Sequence, residues 1–148
     1  MRIVTFAPSL TAIEEEAGGL SLRGFPMTSG FVDVFPAEIT VNIVVAVCTL
    51  NGDEYDPVRY IVATSPSGER LSTMQFSWHW DDNTDCPIKY RVFAQQLPIV
   101  IGSEGSYTLS LCEDPDAADD AAAVFPLQIF RNPMAPPAED ARYETLPS

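Results

Sequence analysis

The densest run of reactive side chains is Trp78-His79-Trp80-Asp81-Asp82-Asn83-Thr84-Asp85-Cys86. Asp81, Asn83 and Asp85 match the first three ligand positions of an EF-hand calcium loop, where alternate oxygen donors converge on one hard cation. The pattern then breaks, because Cys86 stands where that loop needs its turn-forming glycine and Val92 where it needs the bidentate glutamate. An EF-hand is excluded. A looser calcium site at Asp81, Asn83 and Asp85 competes with the main reading, an ordinary solvated turn whose side chains bond local N–H groups, with no metal and no cofactor. His79 and Cys86 bring too few soft ligands for a closed zinc site. Trp78 and Trp80 offer flat rings for stacking a sugar or a partner's side chain, against the alternative that they fill a core with Phe76. Trp78, His79, Trp80, Asp81, Asn83 and Asp85 are therefore the candidate binding residues.

Catalysis finds little support. One histidine has to serve as any imidazole base, and no G-x-S-x-G elbow sets a serine beside it. Cys86 follows His79 closely, but adjacency across a turn does not supply an oriented third group. Carboxylates are plentiful, yet none sits in a recognisable acid–base context and phosphate-cradling glycine motifs are missing. No catalytic residue is assigned, and the expectation is a protein that is not an enzyme.

Such residues must be positioned by strands. Period-two runs rich in β-branched and aromatic residues dominate, and no apolar pattern keeps helical spacing for three turns. Eight strands are expected, at about 2–8, 19–25, 39–50, 58–64, 70–80, 90–101, 106–113 and 123–131. Ala17-Gly18-Gly19, Asn51-Gly52-Asp53 and Ser65-Pro66-Ser67-Gly68 carry turn chemistry between them, and the link from Pro26 to Glu38 is longer and less regular. The third strand, ITVNIVVAVCTL, is apolar enough to be central and buried. In the fifth, Met74, Phe76, Trp78 and Trp80 share one face while Gln75, Ser77 and His79 share the other. Tyr107, in Glu104-Gly105-Ser106-Tyr107-Thr108-Leu109, has the setting of a tyrosine corner, a structural role in which the phenol ties back a loop before a strand. Together these predict an all-β fold, a two-sheet antiparallel immunoglobulin-like sandwich of about eight strands, with a β-barrel as the alternative.

With 148 residues the chain suits one domain, expected over 1–132, followed by a flexible, proline-rich acidic tail over 133–148. Twenty-one acidic against 8 basic side chains give a net charge of −13, which repels phosphate backbones and anionic lipid; no nucleic acid is expected as partner. Glu14-Glu15-Glu16 and the acids from Glu113 to Asp120 read as solvated loop tips. Three cysteines, Cys48, Cys86 and Cys112, form no CxxC pair and point to a reducing compartment, the cytoplasm. No stretch of about 18 apolar residues provides a membrane span, and the N-terminal apolar run is too short for a secretory signal.

The order of several short motifs resembles a family of small bacterial single-domain β proteins of unknown function. The motifs are VTFAPSLTAI, the G-L-S-L-R-G run at 19–24, Phe35-Pro36 before an apolar strand, S-P-S-G at 65–68, E-G-S-Y-T-L-S-L at 104–111 and P-L-Q-I at 126–129. The resemblance implies a sandwich fold and lends no catalytic residue. WHWDDNTDC and the acidic stretch 113–122 depart from the family pattern as insertions. The leading functional expectation is a non-catalytic module that recognises another protein through end loops or an open sheet edge. Alternatives are a calcium- or carbohydrate-binding module built on Trp78–Asp85, and an assembly or decoration subunit of a phage or other particle.

Overall fold

Alternation becomes strand over most of residues 1–50, 56–80 and 86–135, the parts of the chain that the computed structural model describes. The chain is all-β. Among the described residues the strands are β1 (Arg2–Ser9), β2 (Thr11–Glu14), β3 (Leu20–Arg23), β4 (Ser29–Val32), β5 (Ala37–Leu50), β6 (Val58–Thr64), β7 (Arg70–Ser77), β8 (Ile88–Ile101), β9 (Gly105–Cys112) and β10 (Ala123–Arg131). Short 3-10 turns span Pro115–Asp120, and no helix is long and apolar enough to cross a membrane among the described residues. Of the expected tail, 136–148 lies outside the described residues; Met134 and Ala135 turn back on Asn132 through N–H bonds of 3.0 Å each.

Three sheets result, with orders β1-β5-β8, β4-β10-β9-β6-β7 and β2-β3. The described residues form ten strands and not eight, because β2 and β4 have four residues each, too few for period-two alternation to register. The pairing is also not wholly antiparallel, since β4 runs parallel to β10, Ser29 opposite Gln128 and Val32 opposite Arg131. No ladder joins β7 to β8 or β1 to β10 among the described residues.

One core is shared by the two larger sheets. Val41, Ile43, Val45 and Val47 of β5 and Leu97, Ile99 and Ile101 of β8 meet Ile61, Ala63, Leu109, Leu111, Leu127 and Ile129 from the other sheet. β5 pairs with β8 over its whole length and with β1 from Asn42 to Cys48, so its centre is covered on both edges. The reason β1 stops is local. Beyond Ser9 its polar groups turn to the β3 end of the chain: the Ser9 hydroxyl lies within donating distance of the carbonyls of Thr11 (2.7 Å) and Arg23 (3.0 Å), and Leu10 N–H donates to Gly24 O (3.2 Å). The β2–β3 hairpin, reversed at Gly18 and Gly19 with φ of 96° and 81°, lies against β5 and β8. Ala7 and Val44, which alternate away from the main core, are buried.

Candidate functional site

Alternation carries on past the end of β7, so Trp78 and Trp80 point inward and His79 outward. Trp78 is 6% and Trp80 3% exposed. Phe76 stacks on Trp78 at 5.7 Å, Trp80 meets Trp78 edge-on at 5.7 Å, and Phe93 from β8 closes the group at 5.2 Å from Phe76 and 5.5 Å from Trp78. The rings fill the interior at this end, and neither indole offers a face for a sugar to stack on. Both indole Nε1 atoms are buried and have no hydrogen-bond partner among the described residues.

His79 is paired on the surface: its Nδ1 lies 2.7 Å from Asp56 Oδ1, with both side chains largely exposed. Twenty-three residues separate them, so sequence spacing gave no sign of the pair. A histidine–carboxylate pair orients an imidazole, but this one sits open to water, and Cys86 donates instead to Ile88 O at 3.0 Å. Asp81, Asn83 and Asp85 lie outside the described residues, as does Asn51-Gly52-Asp53. No group of three His, Cys, Asp or Glu side chains able to hold a metal occurs among the described residues. Tyr107 is buried and its hydroxyl donates to Ser103 O, four residues upstream, at 2.7 Å.

Burial pushes the Cys112 thiol pKa up, the Asp114 carboxylate adds to the rise and Arg70 opposes it. Nearby, Arg70 holds Asp116 at 3.1 Å and Pro115 O at 3.0 Å, tying the 3-10 turns to β7.

An apolar groove of about 500 Å³ lies on the opposite edge of the molecule, between β4 and the first residues of β5. Residues 28–32 border one side and 39–41 the other, consecutive positions that place both strands edge-on to the groove. Leu10 (57% exposed) and Phe31 (61% exposed) flank it, and Phe31 rests on Phe130 with ring centroids 5.8 Å apart. A volume in the range of about 300–1,000 Å³ with mostly apolar walls is typical of binding clefts. Sequence reasoning saw this region only as the long, irregular link from Pro26 to Glu38. The stretch 24–58 has no lysine or arginine, which was its one legible signal.

No family model matches the chain, and neither the curated proteins nor the solved structures searched contain a match.

Proposed function

We propose that the chain is a non-catalytic protein-recognition module, with an immunoglobulin-like β-sandwich as its frame and the β4–β5 groove as its contact site. The observation that carries this reading is the groove itself, an exposed apolar concavity bordered by strand edges, where Leu10 and Phe31 stand open to solvent. The sandwich assignment draws support from the shared core of the two larger sheets and from the Tyr107–Ser103 tie before β9. A cytoplasmic setting, in keeping with three cysteines that form no disulfide, and kinship with small bacterial β proteins belong to the same proposal.

The test is retention of partners by the full chain from gently lysed host cells, compared with a Phe31→Asp variant. Phe31 is exposed and packs only lightly, so the variant is expected to keep its Tm within a few degrees. A partner held by the parent protein and lost from the variant is the expected result. A variant that keeps every partner sinks the groove as the contact site, and native mass spectra showing no partner at all sink the recognition reading.

A further inference from the structure

β5 is unevenly covered. β8 pairs with it from Ala37 to Leu50, whereas β1 begins to pair only at Asn42, which leaves the β1-side edge of Ala37–Val41 without a ladder among the described residues. Across the groove, β4 pairs with β10 alone among the described residues. Thr28 O and Val32 O accept from Gln128 N–H (3.1 Å) and Asn132 N–H (2.7 Å). In a parallel ladder only alternate residues bond the neighbour, so Ser29 and Phe31 direct their backbone groups away from β10, toward the groove. Two strand edges that have no ladder partner among the described residues, and an apolar floor, thus border one opening. Backbone groups of this kind are satisfied by another extended chain.

We propose, building on the recognition reading above, that the groove takes an extended peptide segment of a partner protein, which adds as a strand beside Ala37–Val41 in line with β1. Five residues of strand span about 16 Å, the length of the uncovered edge. Side-chain chemistry follows from the pleat. Ala37, Ile39 and Val41 face the core, so alternate residues of the guest enter the apolar groove and want to be apolar. Glu38 and Thr40 face outward and are exposed, so the intervening guest residues lie beside the Glu38 carboxylate. Asp33, just past the end of β4, accepts from Asn132 Nδ2 at 3.1 Å and follows Val32, which stands opposite Arg131, so the acid that faces the guest is Glu38. The guest is therefore an alternating apolar and basic segment. The chain's own 136–148 stretch is poorly matched, with Glu139, Asp140 and Glu144 against Arg142.

The experiment uses the full chain and a fluorescent peptide of alternating lysine and valine, seven residues long, at about 150 mM salt. Saturable binding is expected, at least tenfold weaker for the same peptide N-methylated at alternate residues, which keeps the side chains and removes backbone donors. Replacing the lysines by glutamate is expected to weaken binding at least tenfold, and Glu38→Lys to weaken the lysine peptide about fivefold while improving the glutamate one. Amide exchange should slow on peptide addition within 37–41. Equal binding of the N-methylated peptide, or protection confined to other strands, overturns strand addition. A chain that sediments as a dimer dissociated by the peptide makes a second copy the occupant and overturns the proposal. If a native partner is lost with Phe31→Asp while no peptide binds, strand addition fails and the recognition reading stands. If no partner is found at all, that broader reading fails separately.

Discussion

Gly105 opens β9 at φ 146°, and a Cβ built there would stand 2.7 Å from Pro66 Cγ in the turn between β6 and β7. Gly105→Ala is expected to cost about 1–3 kcal/mol in urea unfolding, from strain plus clash. Pro66→Ala in the same molecule should recover part of that loss, because the Cγ atom is gone while the φ strain stays. Cys112 supplies a pH dependence. Its folded-state pKa is raised, so the folded state keeps the proton longer; its stabilising contribution is full below the usual thiol value of about 8.5 and is lost as pH rises through the folded value. Unfolding curves of the parent protein and Cys112→Ala should converge above that pH, and curves that stay parallel would remove the effect. At this scale Tyr107 was readable, because Gly-x-Tyr-x-Leu is a local pattern. The inward aim of Trp78 and Trp80 followed from alternation, but the cover on Trp78 comes from Phe93, supplied by a distant strand.

Among the elements, β6 and β10 have the bounds their patterns predict, 58–64 and 123–131, since turn residues bracket long alternating runs. β2 escaped because four residues are too few to show alternation, and β4 also because its pairing is decided elsewhere: SGFV becomes strand against β10, nearly a hundred residues away. The groove was illegible for the same reason, as it exists only because β1 leaves β5 at Asn42. That uneven cover has a measurable correlate. Amides of β5 within 42–48, laddered on both edges, should exchange among the slowest in the molecule, while amides within 37–41 that point away from β8 should exchange orders of magnitude faster. Uniform protection along β5, read by exchange-detected NMR, would contradict the uncovered edge.

Over the whole molecule, charge is as uneven as pairing. A net charge of −13 is spread over a chain whose 24–58 and 92–130 stretches contain no lysine or arginine. Self-repulsion of this kind lowers the stability of the compact form, and added salt screens it. Raising sodium chloride from about 10 mM to about 500 mM should lift the calorimetric Tm by several degrees; a flat or falling Tm would show that paired charges dominate. The all-β class and one shared core were legible because hydropathy sets them, whereas the placement of strands in sheets rests on contacts between distant residues.

The buried indole pair makes the molecule report on itself. Trp78 and Trp80, the protein's two tryptophans, meet edge to face beyond β7, and β4 with its groove lies four strand spacings away across the same sheet, about 19 Å. Emission from so enclosed a pair is blue and shifts red only when water reaches the rings. Light from this protein therefore watches one edge of the fold: loosening of β7 from β8 changes its colour, and filling of the far groove leaves it dark to the event.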